Sequence, residues 1–236
     1  MAKKQFFAVC DTETTINDNV ADFGFAIFDR NGNQYESCAV LVADFRNEQL
    51  FHDPKLVDSS LWARNNLETR NANYQRMLDE GTRTLASVGA INRFLDKTLA
   101  KYGDNISLTA YNLAFDQAKC NNSKINLAQF TNRFCLWQLA CGHFADTKKY
   151  KQFVLNNHYF GKRTQKTGSL TYLTNAEVMS EFVTGVKAIE PHTAYEDIIH
   201  HEAHILNAIV NRKNWREKQT PYNYREYQLK DNFMVK

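Results

Sequence analysis

The sequence predicts an α/β protein, a mixed sheet of antiparallel and parallel strands flanked by helices, and three observations carry that expectation. Three apolar, β-branched and aromatic runs follow one another between Phe6 and Val42, and Asn31-Gly32, a strong hairpin dipeptide, separates the second from the third. Segments of mostly helical pattern then occupy Asp53 to Lys101. A further strand-like run, Ile106 to Tyr111, passes directly into a helix start at Asn112. At 236 residues, with no repeat or Pro/Gly-rich linker, the chain reads as one domain over residues 1–213 followed by a basic and aromatic C-terminal extension over 214–236.

The first run, FFAVCDTETT from Phe6 to Thr15, ends in two carboxylates one residue apart. Strand side chains alternate between faces, so Asp11 and Glu13 share one face. Two close anions call for a cation, and hard ions such as Mg²⁺ and Mn²⁺ prefer carboxylate oxygens. A solvated strand end explains the pair equally well when it is taken alone. Asp22 to Asp29 and Gln34 to Val42 complete an antiparallel meander. Leu85, Val88, Ile91, Phe94 and Leu95 approximate helical spacing, and Tyr102-Gly103 ends that run.

The stretch Glu190 to Val210 starts a helix at Thr193, which with Glu196 fits a capping box. His192 then lies just before the helix and Asp197 in its first turn. Ile198, Ile199, Ile205, Leu206 and Ile209 form the stripe that buries it.

Other features exclude rather than assign. The five cysteines are odd in number and lack a CxxC pair, which argues against a disulfide framework or a thiolate zinc site and for a reducing cytoplasm. No signal peptide and no bilayer-spanning segment is expected. His200, His201 and His204 do not form HExxH and read as a polar helix face. Net charge is only +3. Between Thr147 and Gly168, however, Lys148, Lys149, Lys151, Lys162, Arg163 and Lys166 stand without an acid among them, interleaved with Tyr150, Phe153, His158, Tyr159 and Phe160. Such interleaving suits a single strand of nucleic acid, with cations on phosphates and rings on bases; a solvated lysine-rich face is the alternative.

Taken together, Asp11-Thr12-Glu13-Thr14-Thr15, then Asn112-x-x-Phe115-Asp116, then His192 and Asp197, resemble in kind and order the three motifs of the DEDDh 3′–5′ exonucleases. The family includes the proofreading subunit of the bacterial replicative polymerase, ribonuclease T and the mammalian three-prime repair exonucleases. The resemblance implies an RNase H-like fold and a two-metal phosphodiester hydrolase. It assigns Asp11, Glu13, Asp116 and Asp197 to two Mg²⁺ or Mn²⁺ ions and His192 to the general base. Thr14, Thr15, Asn112 and Phe115 would seat the terminal nucleotide, with Lys162, Arg163 and Lys166 along the strand. Ile16 stands where the family often has Gly, and Tyr111 where some relatives have His.

The expected partner is the 3′ end of DNA or RNA, single-stranded by preference, and the products are nucleoside 5′-monophosphates. A homodimer or a replication-protein partner is compatible with the sequence. The competing expectation is a nucleic-acid-binding or polymerase-associated module on the same fold without hydrolysis. Four converging carboxylates, which repel phosphate, favour the enzyme.

Overall fold

The three opening runs fold as β1 (Phe6–Thr14), β2 (Val20–Asp29) and β3 (Gln34–Val42), paired antiparallel in sequence order. The computed structural model describes residues 4–51, 67–163, 170–220 and 228–229. Every residue of β2 is buried, as a central strand covered on both faces requires. β5 (Ile106–Ala110) lies parallel to β1 on its other side, and β6 (Arg133–Cys135) lies parallel to β5. At the far edge β4 (Thr84–Ala86) runs parallel to β3. The sheet order is therefore β4-β3-β2-β1-β5-β6, a mixed six-stranded sheet flanked by helices and compatible with an RNase H-like fold.

Alternation along β1 divides the core. Phe7 and Val9 join Ile198, Ile205 and Leu206 on one face, while Ala8 and Cys10 join Ile91, Leu95 and Leu108 on the other. The second face is covered by α2 (Val88–Tyr102) and α3 (Leu113–Asn122), preceded in the chain by α1 (Leu67–Asp79). The first face is covered by α4 (Leu136–Ala140), α5 (Lys148–Asn156), α6 (Ala176–Thr184), α7 (Ala194–Asp197) and α8 (Ala203–Val210). A smaller antiparallel sheet joins β7 (Phe160–Arg163), β8 (Leu170–Tyr172) and β9 (Gln228–Leu229).

One expectation changes. The segment Asp53 to Lys101 is not wholly helical: β4 interrupts it, leaving Leu85 exposed on an edge strand rather than in a helix stripe. Three residues are too few for strand alternation to register, and pairing with β3 selects the strand. Residues 52–66, including Trp62, lie outside the described residues.

The start of the extension packs back on the domain. Trp215 is buried edge-on against Phe7 and Phe134, with ring centroids 5.7 Å and 5.0 Å away. A Cβ on Gly142 would lie 1.7 Å from the Lys218 carbonyl oxygen, so only glycine admits that backbone contact.

Of the aromatic side chains of the basic segment, Tyr150 is buried, Phe153, Tyr159 and Phe160 are half-buried, and His158 is exposed. Tyr150 is fully buried and meets Phe182 at 4.9 Å, and Phe153 packs on Phe182 and Tyr159 at 5.4 Å and 5.7 Å. These rings serve the core, and the helical lysines keep the solvent side. Lys162 and Arg163 fall in β7, with side chains outside the described part, and Lys166 lies outside the described residues.

Candidate metal centre

β5 pairs with β1 only from Phe6 to Val9, so the rest of β1 continues without that neighbour and its side chains meet the helices directly. Asp11 and Glu13 prolong the Phe7 and Val9 face toward α7, and Thr12 prolongs the Ala8 and Cys10 face toward α3. Asp116, in the first turn of α3, accepts the Thr12 hydroxyl at 2.9 Å through Oδ1. Carboxylates from both sides of the sheet thus reach one strand end.

Close approach of α7 depends on β2. Gly24 pairs with Asp11, and a Cβ there would lie 2.5 Å from the Ala194 carbonyl carbon. The Ala194 N–H donates to Asp22 Oδ2 at 3.0 Å. Arg83, fully buried, donates from Nε to Asp22 Oδ1 at 3.1 Å and from Nη1 to Glu196 Oε1 at 3.0 Å. The expected capping box therefore takes another form. Thr193 occupies the N-cap without a side-chain cap, Asp22 satisfies the first N–H, and Glu196 is engaged by Arg83. His192 precedes it in left-handed backbone (φ 54) and is buried.

The result is a tight group: Glu13, His192 and Asp197 each offer a ligand atom within 4.8 Å of the others. Asp11 and Asp116 do not belong to this group among the described residues, although charges of its members act on both. Arg70 of α1 donates to Glu13 Oε2 at 2.6 Å and to the Phe51 carbonyl at 2.8 Å.

Electrostatics record the same convergence. Burial pushes Asp11 well above the usual carboxylate range, and the charges of Glu202, Asp116, Asp197 and Glu13 push it further. Burial likewise lifts Asp116 to about 7, and lifts Glu13 to about 7 against the opposing pull of Arg70. Asp197 is raised by burial and then by Glu190 and Glu13, and its Oδ1 is buried without a hydrogen-bond partner. Burial, reinforced by the Arg70 charge, lowers His192 to about 4. Concentrated carboxylate oxygens with one neutral imidazole suit a hard divalent cation, which would relieve the repulsion and engage the orphaned oxygen.

No family model and no curated protein matches this chain.

The expected nucleotide-seating residues fare unequally. Thr14 is buried. Thr15 is fully buried and donates to Glu48 Oε2 at 2.6 Å, so its hydroxyl staples the following turn and does not face a substrate. Asn112 stands at the N-cap in left-handed conformation (φ 83) with no side-chain cap bond, contrary to the expected capping role. Phe115 is 44 % exposed beside Asp116, with the Lys119 ammonium 4.9 Å from its ring centroid. The histidine trio is not a uniformly polar face, since His201 is fully buried while His200 and His204 are exposed. Sequence reasoning passed over Thr12, Arg70, Arg83 and Glu202. Thr12 had a signal, sitting between two singled-out acids; Arg70 and Arg83 are distant in the chain and ordinary in type, and Glu202, five residues after Asp197, lies off its face at α-helical spacing.

Proposed function

We propose that this protein is a metal-dependent 3′–5′ exonuclease that hydrolyses phosphodiester bonds at the 3′ ends of nucleic acid, single-stranded by preference, and releases nucleoside 5′-monophosphates. The observation that carries the reading is the meeting of Glu13 from β1 with His192 and Asp197 from a segment far along the chain, all within 4.8 Å, with charges of this group acting on Asp11 and Asp116. The polarity of attack rests on the resemblance to the DEDDh motifs.

Asp11, Glu13, Asp116 and Asp197 would hold two Mg²⁺ or Mn²⁺ ions. Bound there, the ions would supply water activation and charge neutralisation at the attacking and leaving oxygens. Buried His192 is neutral at pH 7 and has a ring nitrogen free of charge to accept the water proton. Arg70 keeps Glu13 oriented. The exposed Phe115 ring offers a face to the terminal base, and buried Thr14 shapes the strand end beneath it. Among the described residues no helix is long and apolar enough to cross a membrane. The proposed setting is the cytoplasm.

The deciding assay uses 5′-labelled single strands of DNA and of RNA with Mg²⁺, with Mn²⁺ and with EDTA. A ladder of shortened products that appears only with metal supports the enzyme. Intact strands in every arm, together with retained binding, would make the chain a non-hydrolytic module.

A further inference from the structure

The helix that carries Asp197 changes pitch directly after it. Ile198–Glu202 forms a π-turn between α7 and α8. In an α-helix a residue five positions on points about 140° away. An i→i+5 turn swings that residue back toward the starting face, and such turns concentrate at functional sites. Here it brings Glu202 toward Asp197.

Glu202 is only 3 % exposed. Its Oε1 accepts the Tyr111 N–H at 3.0 Å, and its Oε2 is buried without a hydrogen-bond partner. Tyr111 is the corner between β5 and α3. Ala110 ends the strand, and Asn112 turns the chain through left-handed conformation into the helix that bears Asp116. The corner is held at its other end by Tyr111 stacking on Trp137 at 5.7 Å and by its hydroxyl bonding the Thr174 carbonyl. Among charged groups, Asp116 acts most strongly on Glu202, and Glu202 most strongly on Asp11.

We propose that Glu202 is a positioning residue of the metal centre: by accepting the Tyr111 N–H it ties the corner that carries Asn112 and Asp116 to the helix that carries Asp197. The inference rests on the metal-centre reading above. Thr12 fixes Asp116 to β1, and Asp22 and Arg83 seat α7 against β2. The Tyr111 amide adds the direct link between the two elements, one on each side of the sheet, and the π-turn is what lets one helix present both Asp197 and the tie.

The test compares the full-length wild type with Glu202→Met, which keeps length but removes the acceptor, and Glu202→Gln, which keeps it. Three readouts apply: amide hydrogen exchange at Tyr111 in EDTA, Mn²⁺ affinity by calorimetry, and kcat and KM on a labelled oligonucleotide. Glu202→Met is expected to speed Tyr111 exchange at least about tenfold, weaken Mn²⁺ binding about tenfold and lower kcat about 10–100-fold, with KM within about twofold. Glu202→Gln should stay near wild type in all three. Should Glu202→Met fail to fold, Glu202→Gln and Glu202→Asp decide, the shorter acid reproducing the Met pattern. Unchanged Tyr111 exchange or unchanged Mn²⁺ affinity on losing the acceptor overturns the proposal, as does Glu202→Gln falling with Glu202→Met. Wild type that neither binds Mn²⁺ nor shortens the strand sinks the exonuclease reading instead, while the Tyr111 exchange comparison still decides the tie.

Discussion

Arg70 Nη2 lies 2.6 Å from Glu13 Oε2, with the two side chains only 4 % and 11 % exposed, so a candidate metal ligand is ion-paired with a buried guanidinium. Removing one partner of a buried pair leaves an uncompensated charge, at a cost of about 3–5 kcal/mol. Arg70→Met should therefore melt well below wild type in EDTA. Because a cation at Glu13 would offset that charge, Mn²⁺ should raise the melting temperature of Arg70→Met more than that of wild type. Equal Mn²⁺ shifts in the two proteins would contradict a metal at Glu13.

His192 shares the 4.8 Å group with two carboxylates, which makes its role separable from theirs by substitution. His192→Ala should keep most Mn²⁺ binding, measured by calorimetry, and lose about 10²–10⁴-fold in turnover. Asp11→Ala should lose both. Wild-type turnover in His192→Ala would remove His192 from the chemistry.

Gly24 lies under α7, where an added Cβ would sit 2.5 Å from the Ala194 carbonyl carbon. Gly24→Ala should cost about 1–3 kcal/mol by overpacking and lower turnover by displacing Asp197. Gly89, in α2, is the control, because a Cβ there meets nothing closer than 3.6 Å. Gly89→Ala should leave activity unchanged and raise stability by about 0.4–1 kcal/mol in chemical denaturation. Unaltered turnover in Gly24→Ala would show that α7 does not need this close seat.

Metal-free stability should fall as pH rises from 6.5 to 8. Burial holds Glu13 and Asp116 at about 7 when folded, whereas unfolded carboxyls titrate near about 4. The folded state therefore binds more protons above pH 4, and stability drops as those protons leave. His192 and His201, both lowered by burial to about 4, act in the opposite sense, but only up to their ordinary value of 6.5. Above that pH the carboxylates govern. Thermal melts in EDTA should decline across this window, and Mn²⁺ should flatten or reverse the decline. A flat EDTA profile would mean that the carboxylates do not share one buried site.

The basic segment makes a separate prediction. Changing Lys162, Arg163 and Lys166 together to Ala should raise KM for a single-stranded oligonucleotide and flatten its salt dependence, since each phosphate contact contributes to the salt slope. An unchanged slope would leave these cations as a solvated face.

Local chemistry made much of the fold legible. Apolar, β-branched and aromatic runs and Asn31-Gly32 predicted the meander, and its strands pair as expected. Asp11 and Glu13 were readable as a pair because strand alternation places them on one face. The thin edge strand β4 was not readable, since a three-residue strand has no period of its own. Thr15 was misleading for a similar reason: nothing in the local sequence tells a hydroxyl facing substrate from one donating to Glu48.

By itself the sequence determined an α/β chain with a meander, the order of its acidic motifs and the apolar stripe that buries the Asp197 helix. All of these are short-range consequences of side-chain type and spacing. Only the tertiary structure decided that Arg70 pairs with Glu13, that Arg83 and Asp22 seat α7 over Gly24, and that a π-turn places Glu202 against the Tyr111 amide. Those contacts join residues far apart in the chain, and an arginine or glutamate carries no local mark of the buried partner that will offset its charge.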